Sequence, residues 1–184
     1  MLSEQARETL LSVARQSVEE AVTGSRRERP QVELPELQEH QGAFVTLRTH
    51  GDLRGCIGRF VADKPLWKVV REMAVQSATA DPRFFGRRLR PDELKDLTIE
   101  VSVLSPLRRI QDPETEFELG KHGVYITDGL RSGCFLPQVA LETGWSKEEF
   151  LSHCCAGKAG LPSDAWRDPS VQVSVFTAEI LEEH

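Results

Sequence analysis

Long hydrophobic runs are missing from this chain of 184 residues: no uninterrupted apolar stretch exceeds three residues. That excludes a membrane-spanning helix, which needs about 20 apolar residues, and the hydrophobic region of a secretory signal. It also speaks against the near-continuous apolar strands of a buried parallel sheet. With no secretory leader, the expected compartment is the cytosol, where the four cysteines (Cys56, Cys134, Cys154 and Cys155) are free thiols. Positive charge is also short. Lys and Arg number 23 against 29 Asp and Glu, a net charge of −6. An acidic chain of this kind is a poor binder of nucleic acid or anionic membrane. P-loop, GxSxG, HExxH and strand-borne GxGxxG signatures are absent, as is the aromatic motif of RNA-binding sheets. No cofactor motif is present, and the cysteine spacing does not suit structural zinc.

What remains is an ordinary globular composition, 39% apolar and 28% charged, at a length that fits one domain. Residues 3–23 have the period of an amphipathic helix, with Ser3 as cap, Leu10, Leu11, Ala14, Val18, Ala21 and Val22 on one face, and Gly24 as stop. Ser25–His40, polar and carrying Pro30 and Pro35, reads as an extended surface connection. Phe44–Leu47 and Leu53–Phe60 flank a short turn and read as a hairpin. A helix follows Pro65 and ends before Asp81-Pro82; Pro91–Lys95 forms a short helical turn. Thr98–Leu104 alternates cleanly as a strand. Val124–Thr127 and Cys134–Leu136 flank Asp128-Gly129 as a second hairpin. Two helical segments follow: Gln138–Glu142, and Lys147–Ala156 with Ser146 and Glu149 as a capping box and Gly157 as stop. Val171, Val173 and Val175 mark a last strand. Hairpins joined by helices give an α+β class, a mostly antiparallel sheet flanked by helices.

The densest local signal is Leu53-Arg54-Gly55-Cys56-Ile57-Gly58. Glycine within a strand marks a bulge or a close approach, by a ligand or by another element. Cys56 is then either a small buried residue between packing glycines or a reactive thiol. Arg54, two residues away, would share its face in a regular strand, and a nearby cation favours a thiolate. Glu100 and Ser102 share the polar face of their strand, which either borders a site or faces water. His122, in Lys121-His122-Gly123, is the candidate base, since imidazole titrates near neutral pH. Arg83, Arg87, Arg88 and Arg90 follow closely on one another. Residues 48–109 hold 13 Lys and Arg against 8 Asp and Glu, whereas the rest of the chain holds 10 against 21. The Cys56 region is thus basic within an acidic chain and can receive a phosphate or carboxylate, or simply face water. Cys134, Cys154 and Cys155 fall at apolar packing positions.

Taken together, these blocks resemble the AMMECR domain family. The resemblance starts at Leu53–Gly58 and continues through Asp81-Pro82-Arg83-Phe84, Ile99–Pro106 and Lys121-His122-Gly123-Val124. It runs on through Leu136–Ala140, Gly144-Trp145, Phe150-Leu151 and Lys158–Leu161, spanning about Phe44–Val175 in the family's order. It departs at Cys134, where an aliphatic residue is more usual, and at Ser77–Ala80, which is more polar than the family's version. The resemblance implies a single α+β domain over residues 1–184, with a larger and a smaller lobe and the Cys56 segment near a cleft between them. It implies no settled molecular activity. For prokaryotic members it implies two partners, a Memo-like protein and a radical S-adenosylmethionine protein.

Two functions remain open on these residues. One is an enzyme with Cys56 as nucleophile or redox thiol, His122 or Glu100 moving protons, and Arg54, Gly55, Gly58, Ser102 and Arg83 holding a small anionic substrate. The other is a non-catalytic binding or adaptor domain in which Arg54, Gly55 and Gly58 shape a docking surface and Cys56 is structural.

Overall fold

The computed structural model describes residues 1–26 and 32–183. The chain forms two compact units. One comprises Met1–Leu104 together with the chain from Glu179 onward, the other Ser105–Ala178.

The first unit holds helices α1 (Glu4–Thr23), α2 (Pro35–Gln38) and α3 (Leu66–Thr79) and strands β1 (Ala43–Thr49), β2 (Asp52–Arg59) and β3 (Leu97–Leu104). Ser3 caps α1 by accepting the Ala6 N–H, and Gly24, left-handed at φ 72°, closes it. The buried stripe of α1 is Ala6, Leu10, Val13, Ala14, Ser17 and Val18. Leu11, Ala21 and Val22 of the expected face are only half-buried, because α1 lies against both α3 and β3 and turns its Ala6–Val13–Ser17 flank into that corner. Pro65 precedes α3, which ends at Thr79, short of Asp81-Pro82 as expected. Within the expected extended connection, Pro35 instead opens α2, which buries Leu37; Pro30 lies outside the described residues. The strand order is β2-β1-β3-β8, where β8 (Ala178–Glu182) joins after the second unit, and β1 runs antiparallel to both β2 and β3. Val45, Leu47, Ile99 and Val101 face α1 and α3 in one apolar core.

The second unit has its own sheet and core. Its strands are β4 (Arg108–Ile110), β5 (Gly123–Thr127), β6 (Ser132–Phe135) and β7 (Gln172–Phe176), in the order β4-β7-β5-β6, each neighbour antiparallel. Helices α4 (Pro113–Glu116), α5 (Gln138–Thr143) and α6 (Lys147–His153) accompany it. The Ser146–Glu149 capping box forms at the start of α6. The expected stop at Gly157 does not occur. The helix widens into a π-helical stretch over Cys154–Ala159, and Gly160, at φ 67°, caps it. This turn lies on β6, where a side chain at Gly133 would meet the Ala159 backbone nitrogen at 2.4 Å. The α+β class read from the sequence holds, with two four-stranded sheets in place of one. The short β4 and the uneven Ala178–Glu182 segment lack the alternation that would announce a strand.

Candidate functional site around Cys56

The hairpin that carries Cys56 turns through His50 and Gly51, both at positive φ (51° and 85°), the backbone of a tight two-residue turn. Past the turn the ladder shifts register. Leu47 stands opposite Gly55 and Arg48 opposite Leu53, so Arg54 is an extra residue, a β-bulge. Beyond it the rows are regular. Cys56 lies opposite Thr46, which lies opposite Glu100; Gly58 lies opposite Phe44, which lies opposite Ser102. Cys56, Thr46 and Glu100 therefore form one row across three strands, on the sheet face away from the Val45–Leu47 core. Neighbouring strands are about 4.8 Å apart, which puts the outer members of the row about 10 Å apart along the backbone.

This face is not a solvated one. Ser102 is 0% exposed and Thr46 6%. The Thr46 hydroxyl donates to Cys56 Sγ at 3.3 Å, and the Ser102 hydroxyl donates to Glu100 Oε1 at 3.4 Å. Buried polar groups are held by partners of this kind, because a lost one costs about 1–3 kcal/mol.

β2 is an edge strand, and its outer edge at Cys56 is closed by side chains. The Cys56 N–H donates to Asp81 Oδ2 at 2.9 Å, and the Cys56 carbonyl accepts from Arg83 Nη2 at 3.0 Å. Asp81, 4% exposed, also takes the Arg83 fork, Nε to Oδ1 at 3.0 Å and Nη2 to Oδ2 at 2.6 Å. Burial opposes charge on Asp81. The Arg83 side chain and the Cys56 and Arg83 N–H groups outweigh it, so the carboxyl stays below its usual range. Arg83 is in turn made more basic, chiefly by its hydrogen bond to Asp81, and to a smaller extent by the Cys56 side chain beside it. On the strand's other side the Ser77 hydroxyl of α3 accepts the Ile57 N–H and donates to the Val45 carbonyl, both at 2.8 Å.

The two glycines of the motif are close-approach positions. A Cβ at Gly55 would stand 2.0 Å from the Ser77 backbone oxygen, and one at Gly58 would stand 2.2 Å from the Phe44 ring. Their neighbours here are α3 and an aromatic side chain of the same sheet.

The bulge interrupts the alternation that would put Arg54 on the face of Cys56. Arg54 instead grips Glu93 with two bonds of 3.0 Å and reaches the Arg88 carbonyl at 3.4 Å. The cation in contact with Cys56 is Arg83. His122 belongs to the second unit. Its Nδ1 accepts the Glu118 N–H at 3.1 Å, and burial first, then Lys121 and Arg108, push its pKa down. Cys154 and Cys155 are buried in the second unit's core, and burial raises both thiols. The structure thus brings together Cys56, Glu100, Ser102 and Arg83 of the sequence candidates, and it adds Thr46, Ser77 and Asp81. Asp81 reads in the sequence as a helix stop and part of a family block, Ser77 as part of a segment more polar than the family's, and Thr46 carries no local signal. Among the described residues no group of three or more His, Cys, Asp and Glu could hold a metal ion, and no helix is long and apolar enough to cross a membrane.

The AMMECR1 family model matches residues 11–181. The chain belongs to the AMMECR1 family. It is 44% identical over 186 residues to a protein of Thermococcus gammatolerans, covering 96% of this chain and 89% of the other. It is 41% identical over 188 residues to a protein of Methanothermobacter thermautotrophicus, covering 99% and 96%. The crystal structure of the uncharacterized protein PH0010 from Pyrococcus horikoshii superimposes with a TM-score of 0.90 at 40% identity, covering 100% of this chain and 94% of that one. The AMMECR1 match takes in the whole Cys56 row and the Asp81–Arg83 clasp.

Proposed function

We propose that this AMMECR1-family chain is a cysteine-dependent enzyme whose reacting group is the Cys56 thiol. The observation that carries this reading is the Cys56–Thr46–Glu100 row, on which Thr46 donates to the sulfur while Arg83 grips the Cys56 carbonyl. A hydroxyl contacts the sulfur, and the backbone clasp of Asp81 and Arg83 fixes where that sulfur stands. Glu100 shares the row two strands away, where it would exchange a proton with the thiol only through substrate or water between them, and the Ser102 hydroxyl donates to it. A small anionic substrate fits the surplus of cations in this part of the sequence. Four free thiols and the absence of a membrane-spanning helix among the described residues support a cytosolic setting.

A second reading is favoured by one observation. The fork of Arg54 is taken by Glu93 and that of Arg83 by Asp81, which leaves neither arginine open for a substrate anion. On that reading the chain is a binding or adaptor domain for a Memo-like and a radical S-adenosylmethionine protein, and Cys56 is structural.

The test is iodoacetamide alkylation of the native chain from pH 6 to 9, followed by peptide mass spectrometry. The enzyme reading expects Cys56 to react first, and faster than free glutathione. Equal or slower reaction, together with a Cys56→Ser chain that restores growth of a deletion strain, sinks it. Native mass spectrometry of the chain from its own host then separates the readings, through a small molecule or a partner protein retained.

A further inference from the structure

Within the first unit, the β1–β2 turn, the loop after Pro82–Phe84 and the 3-10 turn over Pro91–Asp96 enclose an open depression of about 1050 Å3. Thr49 lines it and is 7% exposed, and its Oγ1 is buried with no hydrogen-bond partner among the described residues. That hydroxyl is too buried to meet a ligand in the depression, so binding there falls to the charges around it. Three exposed cations line the same space, Arg87, Arg88 and Lys95, and none makes an ion pair among the described residues.

The other charges around the depression are largely matched. Arg54 pairs with Glu93 and Arg90 with Asp92, both at 3.0 Å, and His50 faces Asp96 at 3.5 Å, which leaves Asp52 as the one unmatched carboxylate of the described lining. Gly86, at φ 89°, turns the loop, and the Arg87 N–H donates to the Phe84 carbonyl at 2.9 Å. Two successive guanidinium groups are thereby set on the rim, with Phe84 as an apolar wall.

We propose that this depression binds a phosphate-bearing small molecule. Arg87, Arg88 and Lys95 take its phosphate oxygens. Three cations outside any ion pair among the described residues suit an anion of charge −2 or more with several oxygens, and guanidinium forks match tetrahedral oxyanions well. The volume is at the upper end of small-molecule sites. A nucleic-acid backbone is disfavoured by the acidic chain and by Asp52, Asp92 and Asp96 on the walls. Cys56, Thr46 and Glu100 do not line the depression, so the proposal stands whatever Cys56 does.

The test is calorimetric titration of inorganic pyrophosphate into the full chain at constant ionic strength. Saturable one-to-one binding is expected, weakened ~10-fold or more by the double variant Arg87→Gln/Arg88→Gln. Circular dichroism establishes that each variant is folded; Lys95→Gln serves if the double variant is not. The proposal is overturned if pyrophosphate gives no more heat than potassium chloride of equal ionic strength. It is equally overturned if the folded variants bind as the parent does. Tighter, steeply salt-dependent binding of a single-stranded oligonucleotide overturns it in favour of nucleic acid.

Discussion

Arg83 donates to the carbonyl oxygen of Cys56 at 3.0 Å, across 27 residues of sequence. Its carboxylate partner Asp81 accepts the N–H of the same residue, so one Asp–Arg pair closes both polar groups of an edge-strand residue. Exposed strand edges invite foreign strands, and a charged clasp is one way of blunting them. The Asp81-Pro82-Arg83-Phe84 motif therefore fixes the backbone of the Leu53–Gly58 motif.

The clasp predicts an asymmetry. Asp81→Ala leaves the Cys56 N–H unmatched and Arg83 unpaired, and is expected to cost about 2–4 kcal/mol in urea unfolding. Arg83→Ala leaves the buried Asp81 carboxylate without its counter-ion and the Cys56 carbonyl without its donor, and is expected to cost more, about 3–5 kcal/mol. A smaller loss for Arg83→Ala than for Asp81→Ala would mean that the Asp81 carboxylate does not depend on Arg83.

The same carboxylate sets an acid dependence. Asp81 titrates below its usual range in the folded chain, so the unfolded chain binds the proton first as pH falls. The stability it contributes is complete above the unfolded value of about 3.9 and is lost as pH falls from there through the lower folded value. The Asp81→Asn chain is expected to lose this part of the slope in denaturant unfolding below about pH 4.

His122 is expected to titrate below its ordinary value of about 6.5 in a nuclear magnetic resonance titration, because burial, Lys121 and Arg108 disfavour its cation. Its Nδ1 must also be unprotonated to accept the Glu118 N–H. In this case the unfolded chain binds the proton more readily, so stability falls as pH drops from about 6.5 towards the folded value. His122→Gln should flatten that interval. A His122 titrating above the ordinary value contradicts the contact.

The glycines of the Cys56 motif should behave unlike Gly157, which lies in open space. Gly55→Ala drives a methyl group into the Ser77 backbone oxygen at 2.0 Å, and neither strand nor helix can yield cheaply. A loss of about 3 kcal/mol or more, or failure to fold, is expected. Gly157→Ala meets nothing within 4 Å at an ordinary φ and should be neutral or slightly stabilising. Thermal unfolding of the two chains side by side decides the matter.

Thiol reactivity should follow burial. Cys154 and Cys155 are buried and pushed up in pKa, so both should resist alkylation at pH 8 until denaturant is added. Modification of either in the native chain would contradict the packing of the second core.

The sequence alone determined the elements whose signals are local. Ser3 and Gly24 bound α1, Ser146 with Glu149 opens α6, and the alternation over Thr98–Leu104 is β3. These follow from side chains that meet their own backbone or repeat with a fixed period. The family too was legible, since its blocks occur in order along the chain. Only the tertiary structure decided the site. One inserted residue at Arg54 interrupts the two-residue period, so the cation beside Cys56 is Arg83, delivered from a turn 27 residues on. Thr46 and Glu100 join Cys56 because strand register aligns them, and no local pattern encodes register. The widening of α6 at Cys154 was hidden for the same reason: it answers to the close approach of Gly133, on a strand far off in sequence.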